Sequence, residues 1–203
     1  MTATPRFVQA RKKTKDGEVG TTLSMDDAEL YGERYHNFSF YEARQAGVIV
    51  PFKVHVSTIT SDEVNEYARK RSSTEIDGDP IRSEQVARQL ALSKAQADTG
   101  ARKILTFHQQ INHAESFASD SSEGIGPHLP NFLTCSVKGN QNVSVRDRIL
   151  REFAQSDKGL VSNARCLTEG VDVPEIDLIF FSAPKRSVVD IAQAVGRAVR
   201  KPR

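Results

Sequence analysis

The sequence lacks the features of membrane proteins, secreted proteins and proteins stabilised by disulfides or bound metals. No stretch approaches the roughly 18 consecutive apolar residues that a membrane-spanning helix needs. The opening MTATPRFVQARKK contains no apolar signal-peptide core, so we expect a cytoplasmic protein without a membrane partner. Only two cysteines occur, Cys135 and Cys166, and they lack CxxC spacing. We therefore interpret both as reduced core thiols rather than as a disulfide or a metal site.

The remaining composition is that of a globular domain. Hydrophobic residues make up 38% of the 203 residues, charged residues make up 27%, and the mean hydropathy is −0.46. Such a chain has enough apolar side chains to build a core. The net charge of +2 is mildly basic and permits a nucleic-acid partner without requiring one. The basic run Arg11, Lys12, Lys13 and Lys15 can contact phosphates, although a solvated loop is the favoured interpretation.

The N-terminal part of the chain has a mixed pattern. It predicts, in chain order, an irregular arm rich in glycine and charge (10–36), a short helix ending near Gly47 (Phe38–Val50), a strand of alternating β-branched residues (Pro51–Ile59), a helix with Ser61 as its N-cap, and a further helix (Ile81–Ala97). We place a domain boundary at this arm, with residues 1–36 preceding a domain of residues 37–203.

From Lys103 onward, strands and helices alternate. The predicted strands are 103–107, 132–137, 159–164 and 177–182, and the predicted helices are 109–119, 144–155 and 187–200. The strand runs are almost continuously apolar, which is typical of parallel strands covered on both faces. The sequence therefore predicts a three-layer α/β fold with a mostly parallel sheet and helices on both faces. Residues 119–131 are predicted to form a surface loop.

The last predicted helix carries a compact polar face. If residues follow one another at 100°, Gln193, Arg197 and Arg200 fall within a sector of roughly 60°. One interpretation is an amphipathic helix with a solvated basic face. The alternative is an anion site, because two arginines one turn apart repel each other and their guanidinium groups suit phosphate oxygens. Gly196 beside them would allow a ligand or another backbone to approach closely.

Four segments, in chain order, resemble motifs of superfamily 2 DEAD/DEAH-box helicases, and the stretches SMDD (24–27), SFYEARQAGVIVPFKV (39–54) and APKRSVVDIAQAVGRAVRKP (183–202) further resemble the restriction-subunit-like type. QAVGRAVR fits the Q-x-x-G-R-x-x-R pattern of motif VI, and three upstream segments resemble motifs V, IV and III: TEGVDVPEID (Thr168–Asp177), KILTFHQQINHAESFA (Lys103–Ala118) and TATPR (Thr2–Arg6). The resemblance covers nearly the whole chain. It implies the C-terminal RecA-like lobe of such a protein, beginning at motif III.

The resemblance implies roles on the nucleotide side. Arg200 would be the arginine finger, Arg197 would reach the same ATP phosphates, and Gln193 would position the γ-phosphate or the attacking water. Asp172 and Gly170 would contact the ribose or link to motif VI. For Asp172, a turn aspartate before a proline is an equally good interpretation.

The resemblance also implies contacts to a nucleic-acid backbone. Thr168 would donate to a phosphate, although it can equally be a helix-capping threonine, and Gly139 and Arg146 would belong to a backbone-contacting loop and helix. Thr2 and Thr4 would couple the state of the ATP to lobe closure, unless they form only a frayed terminus.

His108 follows the motif IV strand and has no second metal ligand at suitable spacing, so we expect it to serve as a polar rim residue.

Two motifs of a complete motor do not occur in the sequence. There is no G-x-x-x-x-G-K-[ST] and no D-E-x-H or D-E-x-D stretch, so ATP and Mg²⁺ would be held mainly by another lobe. We expect a fragment that is inactive alone and whose partners are that N-terminal RecA-like lobe and a nucleic acid, with DNA favoured over RNA. The alternatives are a stand-alone nucleic-acid-binding or regulatory module without ATPase activity, and an unrelated α/β protein with chance motif matches.

Overall fold

The protein is described here from a computed structural model. The described residues are 12–13, 19–20, 25, 27–33, 36–71, 80–121, 124–164, 176–183 and 188–198. Their helices and strands, in chain order, are β1 (Lys12–Lys13), β2 (Val19–Gly20), α1 (Ala28–Tyr31), α2 (Phe40–Gln45), α3 (Ser61–Arg71), α4 (Pro80–Thr99), β3 (Lys103–Phe107), α5 (Ile111–Phe117), a 3-10 turn (Gly126–His128), β4 (Leu133–Val137), α6 (Val143–Gln155), β5 (Gly159–Asn163), β6 (Leu178–Phe181) and α7 (Val188–Ala198).

A four-stranded parallel sheet organises the C-terminal half. Its strand order is β4-β5-β3-β6, so β5 and β3 are central and every neighbouring pair is parallel. The apolar runs of these strands are covered on two sides, as continuous hydrophobic strands require. The predicted strands and helices of this half are confirmed, with ends that differ by at most two residues where both ends are described.

Alternate residues of the central strands enter two separate cores. Ile104 and Leu160 pack with α4, α5 and the 126–128 turn, through Leu92, Phe117 and Ile125. Their sequence neighbours Leu105 and Val161 point the other way and pack with α6 and α7, through Leu150, Phe153 and Ala194. Side chains of a strand alternate between its faces, so these two cores lie on opposite sides of the sheet. The predicted three-layer α/β fold is therefore confirmed.

The amino-terminal edge of the sheet is closed by structural contacts. The Asp177 carboxylate accepts hydrogen bonds from the backbone N–H groups of Arg102 and Lys103 at 2.9 and 2.8 Å. The Lys103 ammonium donates to the carbonyl groups of Phe153 and Ser156 at the end of α6. Polar groups at this edge are thus occupied by each other, which leaves the opposite edge as the place for a ligand.

The helices α3 and α4 pack together beside this sheet. An ion pair joins Lys94 of α4 to Glu63 of α3. The Tyr67 hydroxyl lies 2.8 Å from Nδ1 of His128, and the two rings stack, which ties α3 to the 126–128 turn. The N-cap of α3 is Thr60 and not Ser61 as predicted, because the Thr60 hydroxyl accepts from the Glu63 N–H and the Glu63 carboxylate accepts from the Thr60 N–H.

Three further predictions about local structure are wrong. Residues 51–59 form no strand, and Val54 and Val56 are 81% and 82% exposed, since no strand of the described residues pairs with this segment. The predicted surface loop 119–131 is partly a core element, because Ile125 and Leu129 are buried in the first core. The arm 10–36 also contains regular structure, namely the antiparallel β1–β2 pair and α1.

No helix among the described residues is both long and apolar enough to cross a membrane.

Candidate nucleic-acid and nucleotide site at the carboxyl edge of the sheet

The four strands end level with one another at their carboxyl edge. In register, Val137 pairs with Asn163, Asn163 with Phe107, and Phe107 with Phe181. The residues that follow these strands therefore form a row in the order Lys138, Ala164, His108 and Ser182. Ligands of open α/β sheets bind at this edge. Three inter-strand spacings of about 4.8 Å separate its two ends by roughly 14 Å.

At one end of the row, the turn after β4 leads into α6. Gly139 is exposed in this turn, and the Asn142 side chain caps α6 by accepting from the Ser144 N–H at 3.1 Å. The first turn of α6 has no acidic residue, so the N–H groups at the start of this 13-residue helix keep their positive partial charge.

Arg146 lies in α6 one turn after the cap. Its Nε atom is buried and has no hydrogen-bond partner within the described part of the chain. The neighbouring cations are engaged: the Lys138 ammonium pairs with Glu115, and Nε of Arg148 lies 3.9 Å from the Glu152 carboxylate. A desolvated guanidinium nitrogen without an acceptor favours an anionic partner. Gly139 and Arg146 thus lie at the same end of the edge, and their predicted contacts with a nucleic-acid backbone stay predictions.

The middle of the row is occupied by a buried polar cluster. Nδ1 of His108 lies 2.8 Å from the Ser182 hydroxyl, and its Nε2 lies 3.0 Å from the Thr106 hydroxyl. The ring also packs against Phe117, with centroids 4.9 Å apart. His108 is 2% exposed, so its predicted role as a polar rim residue is wrong. Phe117 and the strands on either side bury the imidazole, which the residue order alone did not reveal.

At the other end of the row, β6 leads to α7. Ala194 of this helix is buried and packs in the second core, whereas Gln193 is half-buried. An added Cβ at Gly196 would have no heavy atom within 4 Å, so the space beside it is open, as close approach of a ligand requires. Arg197 lies in α7, but its side chain and all of Arg200 fall outside the described residues.

The remaining predicted site residues lie outside the described part of the chain. They are Asp172, Gly170 and Thr168 in the segment between β5 and β6, and Thr2 and Thr4 at the N-terminus. Cys166 also lies there. Their roles stay predictions.

The described residues do not provide a metal site. They contain no group of three His, Cys, Asp or Glu side chains that could hold an ion. The described residues therefore offer no cluster that could hold Mg²⁺ without further ligands.

Cys135 is a free thiol in β4 whose Sγ lies 3.5 Å from the Leu160 carbonyl. Burial raises the pKa of Cys135 to about 12. The thiolate form is thus suppressed near neutral pH, in agreement with the expected structural core thiol.

A parallel sheet between two layers of helices, with polar groups gathered at its carboxyl edge, defines an α/β domain of the RecA-like class. The family of the helicase conserved C-terminal domain matches residues 82–202, more than half of the chain. The chain belongs to this family. The predicted resemblance to superfamily 2 helicases is thereby confirmed.

Relatives and a solved structure agree with this assignment. Over 99% of its length the chain is 27% identical to "Probable helicase A859L" of two African swine fever virus isolates, Pretoriuskop Pr4/1996 and Badajoz 1971, and it is 25% identical to that of isolate KEN-50/1950. It covers only 21% of each relative. The fold matches "ATP-dependent Type ISP restriction-modification enzyme LlaBIII bound to DNA" with a TM-score of 0.67 at 24% identity, over 99% of this chain and 14% of that one.

Sequence reasoning missed the polar cluster around His108. Its other members are Thr106, Ser162 and Ser182, for which the sequence predicts only positions in strands. One signal was present: Thr106 and Ser162 each occupy the fourth position of their strand, so parallel pairing in register places them side by side.

Proposed function

We propose that this chain is the C-terminal motor lobe of an ATP-dependent nucleic-acid helicase or translocase. The observation that carries the proposal is the division of the carboxyl edge. Candidate backbone-contacting residues follow β4 at one end, and the helix with the candidate phosphate-contacting residues follows β6 at the other. A lobe built in this way can hold a nucleic-acid strand and a nucleotide at once, on different parts of one rigid sheet.

On the nucleic-acid side, the start of α6 and Arg146 bind phosphates. The positive end of the α6 dipole attracts an anion, and the guanidinium of Arg146, whose Nε has no partner within the described residues, supplies a charge beside it. Gly139 allows the backbone to come close, and Thr168 adds a hydroxyl contact. These contacts position a strand without reading its bases.

On the nucleotide side, α7 faces ATP bound by another lobe. Arg200 is the arginine finger, Arg197 contacts the same phosphates, and Gln193 positions the γ-phosphate or the attacking water. Asp172 and Gly170 contact the ribose or join that segment to α7. Because the sequence has no phosphate-cradling loop, we expect this lobe to hydrolyse no ATP alone.

A longer protein is consistent with the relatives, of which this chain spans about a fifth. In it, residues 1–36 would form the end of the first RecA-like lobe and an arm before the second lobe (37–203), with Thr2 and Thr4 coupling ATP state to lobe closure. DNA is the favoured substrate, because the structural neighbour is described as an ATP-dependent enzyme bound to DNA.

The proposal is tested by substituting the finger in the longer protein that joins this lobe to an ATP-binding lobe. Arg200→Ala should lower nucleic-acid-stimulated ATP turnover by at least about 10³-fold, as for other arginine fingers, while leaving the melting temperature unchanged. Lys201→Ala, which removes the adjacent cation, is the matched control and should retain turnover. Equal turnover of Arg200→Ala and wild type would refute the assignment. It would favour a binding or regulatory module without ATPase activity.

A further inference from the structure

A chain of buried side-chain hydrogen bonds crosses the carboxyl edge of the sheet. The Ser182 hydroxyl lies 2.8 Å from Nδ1 of His108, Nε2 of His108 lies 3.0 Å from the Thr106 hydroxyl, and Thr106 donates to the Ser162 hydroxyl at 3.0 Å. These side chains belong to or directly follow β6, β3 and β5. All of them are buried, and Ser182 is the most exposed at 8%.

The donors and acceptors of this chain fit a neutral imidazole in one tautomer. Thr106 donates its only hydroxyl proton to Ser162, so it must accept from His108, which places the imidazole proton on Nε2. Nδ1 is then an acceptor for the Ser182 hydroxyl. The hydrogen bonds thus run in one direction, from Ser182 through His108 and Thr106 to Ser162. Loss of one member would leave its buried partners unsatisfied.

Backbone contacts fasten the same strand ends to residues 106–108. The His108 N–H donates to the Asn163 carbonyl at 2.8 Å, and the Asn163 side-chain amide donates to the Thr106 carbonyl at 2.8 Å. The Ser182 N–H donates to the Phe107 carbonyl at 3.1 Å. The end of β5 and the end of β6 do not pair with each other, because β3 lies between them. We call the chain segments that leave β5 and β6 the β5 exit and the β6 exit. His108 is a side chain whose hydrogen bonds join these two exits.

Both exits lead to segments that carry residues of the proposed site, and Thr168 after β5 is the one assigned to the nucleic acid. The segment 165–175, with Thr168, Gly170 and Asp172, follows β5, and the segment that reaches Gln193 follows β6. We propose that His108 is a positioning residue that holds these exits in a fixed relation. Nucleic acid that binds to the segment after β5 then also affects the nucleotide-facing helix α7. This inference rests on the proposed function. A purely stabilising buried histidine is the competing explanation.

Amide hydrogen exchange of the whole 203-residue chain, read by mass spectrometry, separates the two explanations. Ser182→Ala breaks only the link to β6, and Thr106→Val breaks only the link to β5. We expect each to speed exchange at its own exit by roughly fivefold and to leave the other exit unchanged. His108→Phe keeps an aromatic ring against Phe117 and should loosen both exits.

The matched control for these variants is Ser93→Ala. It removes a buried hydroxyl of α4 that has no partner within the described residues, so it should change neither exit. Exchange that rises equally across β3 to β6 in all three edge variants, in proportion to their loss of melting temperature, would overturn the positioning role.

A second arm of the experiment adds a 20-nucleotide single-stranded DNA. In wild type, we expect slower exchange in 165–175 and also in 183–198, whereas in His108→Phe and Ser182→Ala only 165–175 should be protected. Equal protection of both segments in wild type and variants contradicts the proposal. If the oligonucleotide does not bind wild type at all, the proposed nucleic-acid function fails, and the exchange of the free chain still decides the role of His108.

Discussion

Two stretches of the chain have similar strand-like sequences and opposite structures. KILTF (103–107) becomes the central strand β3, with parallel partners on both sides and apolar side chains in two cores. FKVHV (52–56) alternates apolar and polar residues as a half-buried strand does, yet it forms no strand, and Val54 and Val56 are exposed. The difference shows that strand propensity indicates only how well a segment suits the surface of a sheet. Whether the segment forms a strand depends on the partner strands beside it.

The contrast extends from backbone to function. The sheet fixes the carboxyl ends of its strands through register, two cores and the His108 cluster, so residues that follow those strands are held at set distances. In the stretch 36–60, seven large apolar side chains are exposed, and Phe40 packs edge-on against Phe52 with centroids 6.0 Å apart. A site that must hold two ligands in a fixed relation is better built on the first region.

The largest expected effect is a loss of unfolding free energy, and a pair of phenylalanines, one in each region, tests it. Phe153→Ala removes a ring that is fully buried between α6 and the sheet, and it should cost about 3–5 kcal/mol of unfolding free energy. Phe52→Ala removes a ring that is 40% exposed, and it should cost less than about 1 kcal/mol. Urea denaturation measures both. Similar losses would mean that the stretch 36–60 is as well packed as the sheet.

An intermediate effect is expected from matched valines. Val161→Thr keeps the shape of a fully buried β5 side chain but adds a hydroxyl to the second core, at a cost of about 1–3 kcal/mol if it finds no acceptor. Val54→Thr makes the same change at an exposed position and should stay within about 0.5 kcal/mol of wild type. Denaturation midpoints compare the pair. A loss of stability at Val54 alone would reverse the comparison.

The smallest effect is expected at Glu63, where the exposed stretch meets the helical pair. The Lys94 ammonium and, next, the Thr60 N–H lower the pKa of Glu63 from 4.5 to about 2. Because the folded pKa is the lower one, this carboxylate stabilises the fold above pH 4.5, and the stabilisation is lost as the pH falls towards 2. The melting temperature of Glu63→Gln should therefore lie below that of wild type at pH 7, with a difference that shrinks on acidification.

Lys94→Gln provides the control for the Glu63 experiment. In that background the effect of Glu63→Gln at pH 7 should become smaller, since the ion pair is already broken. A difference between wild type and Glu63→Gln that grows as the pH falls would contradict the stated sign.

The sequence predicted the sheet well because its signals there are redundant. β3 was predicted to the residue, since its three apolar side chains, Ile104, Leu105 and Phe107, follow charged residues and precede polar ones. The failures share one cause. Residues 51–59 and the loop 119–131 depend on contacts with distant elements, namely the missing partner strand in one case and the core around Ile125 in the other. Local patterns do not encode those contacts.

The site was predictable where it follows from topology and unpredictable where it follows from packing. Parallel strands must end at one edge, so the proximity of Gly139 and Arg146 to that edge could be foreseen from their positions after β4. The burial of His108 could not, because it requires the register of β3, β5 and β6 together with the ring of Phe117. The roles of Arg197 and Arg200 stay predictions.

The most direct test of the central proposal is the salt dependence of DNA binding by this chain. Fluorescence anisotropy with a labelled single strand, at several salt concentrations, gives the slope of log affinity against log salt. Arg146→Ala should weaken binding and make the slope shallower by about 0.7, which corresponds to the loss of one phosphate contact. Arg148→Ala, on the same helix but paired with Glu152, should change the slope little. Equal slopes for wild type and Arg146→Ala would contradict the account.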